Sequence, residues 1–236
     1  MIDFSIIIPA LNESFFIEKT VNQVINAIPA EKEFEIILIN DCSSDDTGTI
    51  MDNIALDKEN ICVIHNRVNM NLGGSYKIGV ENARGIYVIM VPGDNSFSSS
   101  SINEVLEAYD EADIIIPVYK NLKEFRSYVR TVISQLFTFI INTTFRLNVS
   151  YFNGIVLHKR SNLNLINLNS NSFFYQAEAI VRLLKKGSSY VELSVITLDH
   201  NHEGSEHKSS ALRLKNIYAV IKDYIVLIYH VYKKNK

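Results

Sequence analysis

The chain has 236 residues, 47% of them hydrophobic, with a net charge of −3 and two cysteines. That supports one large α/β domain that needs no disulfide or metal cluster to close its core. The charge offers no general pull toward nucleic acid, and Cys42 and Cys62, with no CxxC spacing, read as plain thiols of a reducing compartment.

FSIIIP (residues 4–9) reads as a first strand that Pro9 ends, because proline cannot donate to a ladder. No basic segment precedes this run, and no stretch reaches the ~18 apolar residues of a spanning helix. The expectation is a cytoplasmic protein, extending to one held peripherally on the inner face of the membrane. Asn12 or Ser14 is placed to cap a helix that runs to about Ile28 and is closed by Pro29. FEIILI (34–39) is a second buried strand. It runs straight into the turn and cap cluster NDCSSDDT (40–47) and a helix over 47–56. ICVIH (61–65) is a third strand.

Residues 69–95 are the stretch around which the chain is organised. Gly73 and Gly74 open a helix that also carries Gly79 and Gly85, for close packing or for a ligand. The apolar run 86–91 fits a strand buried on both faces and ends at Pro92, Gly93 and Asp94. The serines at 98–101 cap a helix ending near Tyr109, and DIIIPV (113–118) is a fifth strand. This alternation argues for a mostly parallel sheet with helices on both faces.

The second half departs from that rhythm. Residues 122–147 form a long helical pattern with a wide apolar face, and Arg126 and Arg130 sit one turn apart near its start. FNGIVLH (152–158) reads as a strand, residues 173–187 as a helix stopped by Gly187, and YVELSVITL (190–198) as a strand. Residues 199–210 are a polar loop containing His200, His202 and His207. Apolar residues at helical spacing over 211–232 make a final amphipathic helix. That helix suits packing on its own domain, a homodimer interface or a membrane surface.

In a parallel sheet the ends of the first, second and fourth strands share one edge, where open α/β sheets bind ligands. Glu13, Asp41, Asp45, Asp46 and Asp94 fall there. So many carboxylates repel a phosphate unless a divalent cation such as Mg²⁺ or Mn²⁺ intervenes. Neither a GxxxxGK[ST] nor a GxGxxG loop follows the first strand, so a P-loop or dinucleotide site is not indicated.

IIIPALNE, INDCSSDDT, the spaced residues Asn69, Gly73, Gly79, Ala83 and Gly85, and VIMVPGDN together resemble the inverting family 2 glycosyltransferases of GT-A fold. The likeness is strongest to the dolichyl- or polyprenyl-phosphate sugar synthases. It covers residues 1–210 and leaves 211–236 as a C-terminal interface or membrane-surface helix. The resemblance implies that Pro9, Ala10, Asn12, Glu13, Asp41, Ser43, Gly93 and Asp94 line a UDP- or GDP-linked sugar donor. Asp94 matches the second acid of the family's DxD metal motif, whose first acid falls on Pro92. Asp94, helped by Ser96, water and phosphates, would then hold the cation and act in catalysis. Asn71 stands where members often have glycine.

The same resemblance implies a lipid-phosphate acceptor, met at the membrane surface by Arg126, Arg130 and Ser134. Asn153 falls on a turn of the branch, and Gln176 and Glu178 match its Q-x-E helix beside the acceptor site. Glu192 falls on its E-V-P strand. His202 or Lys208 takes the place of an absent arginine near the pyrophosphate. An ionised phosphate needs cations but no general base. If the acceptor were instead a hydroxyl of a polysaccharide or lipopolysaccharide, Glu178 is the candidate base. A non-catalytic GT-A-like binding subunit is the third reading, and Pro92 is the feature that favours it.

Overall fold

A computed structural model describes residues 1–121, 127–196 and 213–233. The first half alternates as the pattern predicts: β1 (Phe4–Ala10), α1 (Ile17–Ala27), β2 (Phe34–Asn40), α2 (Thr47–Ala55), β3 (Ile61–His65), α3 (Asn71–Asn82), β4 (Tyr87–Met90), α4 (Ser99–Glu107) and β5 (Ile114–Tyr119). There follow α5 (Tyr128–Phe145), β6 (Leu157–Lys159), α6 (Arg160–Leu163), α7 (Tyr175–Lys185), β7 (Tyr190–Val195) and α8 (Leu214–Lys233). The strands form one sheet in the order β3-β2-β1-β4-β6-β5-β7. β6 is antiparallel to both neighbours, whereas every other pairing is parallel. The carboxyl ends of β1, β2, β4 and β5 therefore share one edge.

Alternation along the strands divides the core into two layers. Ile6, Ile8, Ile36 and Leu38 face α1, α2 and α4. Ile7, Ile37 and Ile39 face the other way, toward a layer that contains Tyr76 of α3, Phe174 just before α7, Ile180 of α7, and Leu227 of α8. Each such side chain, fully buried, contributes roughly 1.5–3 kcal/mol. α8 thus packs on the same core as the rest of the chain through Leu227, while Tyr218, Ile221 and Ile225 on its other side stay exposed.

Four local expectations need correction. Pro9 does not end β1, which continues to Ala10. Its carbonyl accepts from the Gly93 N–H, so Pro9 faces β4. The β1–β4 ladder closes at Ile7↔Met90, so the missing proline donor falls beyond the ladder. Neither Asn12 nor Ser14 caps α1, which begins at Ile17 with no side-chain cap; both side-chain and backbone groups there are turned toward the β2–α2 loop instead. The apolar run 152–158 is mostly not strand. Gly154 sits at φ +113°, and Phe152, Ile155 and Val156 are buried by packing before β6 begins at Leu157. Apolar content marked burial there, and the left-handed glycine broke the extended backbone. The long helix is α5, opened by Ser127, whose hydroxyl accepts from the Arg130 N–H; residues 122–126 lie outside the described residues.

Candidate active site at the carboxyl edge of the sheet

The β1–α1 and β2–α2 loops are bonded to each other. The Asn12 N–H donates to Ser43 Oγ at 3.0 Å, and Asn12 Oδ1 accepts from the Ser44 N–H at 2.8 Å. Asn12 takes a left-handed φ of 58°, and Cys42 one of 65°. Asp45 is a turn anchor. It accepts from the Ser14 N–H at 3.2 Å and from the Thr47 N–H and hydroxyl at 3.0 and 2.5 Å. Desolvation pushes its carboxyl up, but these hydrogen bonds outweigh it and hold the group below the ordinary range. Thr47 Oγ1 also accepts from the Glu13 N–H at 2.8 Å.

Asp41 is buried, at 4% exposure. Its Oδ1 accepts from Asn66 Nδ2 at 2.8 Å and from the Met70 N–H at 2.7 Å. The carboxylate is thereby tied to the entrance of α3, one residue before that helix begins. Asn71, the first residue of α3, has φ 59°, which accounts for the glycine that members of the resembled family often carry there.

The β4–α4 turn is held against α1. Thr20 Oγ1 donates to the Gly93 carbonyl at 3.0 Å and accepts from the Asn95 N–H at 3.0 Å. A Cβ at Gly93 would meet the Ala10 Cβ at 2.8 Å, so the turn lies directly on the end of β1. Asp94 Oδ1 accepts from the Ser96 N–H at 3.1 Å. Glu13 faces this turn. Desolvation first, then the charges of Asp94 and Asp45, push its carboxyl up to about 7. Its Oε2 and the Asn95 Oδ1 are buried acceptor oxygens without a hydrogen-bond partner.

These oxygens bear on the metal question. Among the described residues no group of three His, Cys, Asp or Glu converges as a preformed cation site. Two carboxylates in mutual repulsion and two buried oxygens without donors nevertheless suit a hard divalent cation that completes its shell with water and phosphate. The residues present fit such a cation.

The residues that the resemblance assigns to the acceptor fall into two groups. Ser134 lines a cavity of ≈ 350 Å³ together with Tyr119, Lys120, Thr138, Ser150 and Tyr151. Tyr119 ends β5 and packs on Phe97 with tilted rings, 5.7 Å between centroids, so the cavity neighbours the Asp94 turn. Asn153 lies beside it: a Cβ at the following Gly154 would meet the Tyr119 hydroxyl at 2.7 Å. Arg130 rises from the first turn of α5. Glu192 of β7, half-buried, reaches this region and accepts from Ser150 Oγ at 2.6 Å. Lys120 is a cation that the motif reading missed. A lysine after a buried strand is the signal that would have found it.

Gln176 and Glu178 are not presented to that cavity. Gln176 is buried at 2% exposure and its Nε2 lies 2.8 Å from Nε2 of His158, beneath the sheet. Burial pushes His158 down to about 3, so the ring is neutral, with Nδ1 lacking a partner. Glu178 is also buried. Its Oε2 accepts from the N–H groups of Asn169 and Ser170 at 3.0 and 2.8 Å. Its Oε1 accepts from Asn169 Nδ2 at 3.3 Å and Arg182 Nε at 2.8 Å. Arg126, His202 and Lys208 lie outside the described residues.

With this geometry in view, the comparisons with known proteins are specific. Residues 5–158 match the family model described as Glycosyl transferase family 2. The dolichyl-phosphate beta-glucosyltransferase ALG5A of Trichomonas vaginalis is 26% identical over 143 residues, 55% of this chain and 44% of that protein. The poly(ribitol-phosphate) beta-N-acetylglucosaminyltransferase TarS of Staphylococcus aureus is 26% identical over 121 residues, 49% of this chain and 21% of that protein. The chain therefore spans well under two thirds of these curated relatives. The structure of S. aureus TarS 1–349 in complex with UDP-GlcNAc superposes with a TM-score of 0.68 over 97% of this chain and 67% of that one, at 20% identity. The mannosyltransferase PcManGT of Pyrobaculum calidifontis, in complex with GDP-Man and Mn²⁺, has a TM-score of 0.68 over 94% of this chain and 64% of its own, at 14% identity. The fold is GT-A.

Proposed function

The chain belongs to glycosyl transferase family 2, and on that premise we propose that it moves a hexose, with inversion, from a nucleotide sugar to a polyprenyl phosphate. The single observation carrying the choice of acceptor is the state of Glu178. A hydroxyl acceptor needs a general base within hydrogen-bond reach. Glu178 has four donors on its two oxygens and supports a loop instead. A phosphate is already ionised at neutral pH and needs cations to hold it. Lys120 in the cavity wall and Arg130 on α5 supply that charge, with Ser134 beside them.

In this reading Pro9, Ala10, Asn12, Glu13, Asp41 and Ser43 line the nucleotide. The buried, doubly bonded Asp41 offers a fixed acceptor for the base. Gly93 lets the turn lie flat on the end of β1, which brings Asp94 to the side where Glu13 stands and where the diphosphate would lie. Mg²⁺ or Mn²⁺, held by Asp94 with Ser96 and Glu13 close by, would neutralise charge on the departing nucleoside diphosphate. The sugar carbon would then sit between Asp94 and the cavity, open to in-line attack from the acceptor side. Inversion follows from one displacement.

The cavity wall also supports contact with a membrane surface. Along α5, Tyr128, Val129, Ile133, Leu136 and Phe139 are exposed. Among the described residues no helix is long and apolar enough to cross a membrane. A lipid-linked acceptor reaching the cavity along this face suits an interfacial helix.

The test is transfer itself. The protein is incubated with a panel of UDP- and GDP-sugars, Mn²⁺ or Mg²⁺, and either a short polyprenyl phosphate or a polyol-phosphate polymer. Nucleoside diphosphate release that depends on the polyprenyl phosphate is the expected result. Release with the polymer alone supports the hydroxyl-acceptor reading suggested by the likeness to TarS. No release with any donor refutes the proposal and favours a non-catalytic binding subunit.

A further inference from the structure

The loop of residues 169–172 is gripped from three sides. From beneath, Glu178 takes the N–H groups of Asn169 and Ser170. From outside, Asp223 of α8 takes both its hydroxyls: Ser170 Oγ and Ser172 Oγ donate to Asp223 Oδ2 at 2.5 and 2.7 Å. On its inner side the Asn171 carbonyl accepts from the Gly73 N–H at 3.1 Å. Gly73 approaches so closely that a Cβ there would meet Ser170 O at 2.6 Å and Ser172 O at 2.9 Å, both backbone atoms. Gly73 lies in the first turn of α3. Met70, just before that helix, donates its N–H to Asp41 Oδ1.

A short bonded chain therefore runs from α8, through the 169–172 loop and the entrance of α3, to Asp41. We propose that Asp223 is a positioning residue for the sugar donor, and that α8 acts as a strap holding Asp41 in place. This rests on the reading of Asp41 as a nucleotide contact. Ser170 and Ser172 are buried, at 1% and 9% exposure, so without Asp223 their hydroxyls lose their charged acceptor in a dry setting. The loop then relaxes, and with it the carbonyl that fixes Gly73. α8 itself stays docked, because Leu227 is fully buried and the Tyr224 hydroxyl bonds Thr144 Oγ1 at 2.6 Å. Removal of Asp223 thus acts on the loop rather than on the helix.

The test compares Asp223→Ala with Asp223→Asn. Calorimetry with UDP and with GDP, each with Mn²⁺, reads nucleotide affinity, and residue-resolved amide exchange reads Met70 and Gly73. D223A is expected to bind nucleotide on the order of tenfold more weakly, to raise donor KM with kcat at saturating donor kept, and to exchange faster at Met70 and Gly73. D223N is expected to restore all three, since its amide oxygen still accepts from both serines. Unchanged exchange at Met70 and Gly73 in D223A overturns the proposal, as does equal impairment of D223A and D223N. If the unsubstituted protein binds neither nucleotide, the donor-site reading fails by itself, and the exchange of Met70 and Gly73 still decides whether the strap exists.

Discussion

Glu178→Gln separates a structural carboxylate from a catalytic one. The substitution keeps size and shape but replaces one oxygen by an NH₂ group, a donor facing donors. If the amide nitrogen takes the Oε2 place, it confronts the Asn169 and Ser170 N–H groups; in the Oε1 place it confronts Asn169 Nδ2 and Arg182 Nε. The first rotamer takes the acceptor from the buried Ser170 N–H; the second takes it from the half-buried Arg182 Nε, while Asn169 Nδ2 keeps the Asn167 carbonyl within 3.5 Å. The substitution also strips the ionic partner from Arg182, whose side chain is 14% exposed against 3% for Glu178. Removing one member of a buried pair costs about 3–5 kcal/mol. With a urea m-value of about 2–3 kcal/mol/M, the unfolding midpoint should fall by roughly 1–2 M. Circular dichroism at 222 nm follows it, since the chain has no tryptophan. Transfer by the fraction still folded, measured at low temperature, should keep most of the original kcat. An unchanged midpoint combined with abolished transfer would refute this reasoning and return Glu178 to the role of base.

The other expectations are briefer. Asp94→Asn should leave the unfolding midpoint near that of the parent but weaken Mn²⁺-dependent nucleotide binding about tenfold or more, read by calorimetry with and without chelator. Lys120→Met should raise acceptor KM with little change in donor KM if the cavity holds a phosphate, and steady-state kinetics in both substrates show which. Gly73→Ala should cost about 1–3 kcal/mol, because its Cβ would meet three backbone atoms of the 170–172 segment within 2.9 Å. His158 has its folded pKa depressed to about 3 from 6.5, so its stabilising neutral form is fully present above 6.5 and is lost as pH falls from 6.5 toward 3. Glu13 behaves oppositely. Its folded pKa is raised from 4.5 to about 7, so its contribution is full below 4.5 and lost as pH rises through 7. Glu13→Gln should therefore stabilise the protein at pH 8 by about 1 kcal/mol, after discounting for solvent screening, and have no such benefit at pH 4. Urea midpoints at the two pH values check this; an equal shift at both would contradict it.

Periodicity and strand-end chemistry are legible in the sequence alone. Runs such as Ile6–Ile8 and Ile36–Ile39, short and bounded by breakers, fit strands covered on both faces, and the breakers after them place Asn12, Asp41 and Asp94 at one edge of a parallel sheet. That much follows because local hydrophobic pattern and turn residues act over a few positions. The sequence by itself also identified the family, through motifs that each span one strand end or one helix and its flanking loop. Tertiary structure decided what those motifs could not. The antiparallel insertion of β6 between β4 and β5 rests on long-range pairing, Tyr87↔Lys159 on one side and Ile114↔His158 on the other. Which carboxylates stay available depends on the partners that folding brings to each of them. Glu178 is engaged by Asn169, Ser170 and Arg182, Asp45 by Ser14 and Thr47, while Glu13 is left facing Asp94. A side chain's hydrogen-bond partners and its desolvation are set by the packed whole, and residue type alone does not carry them.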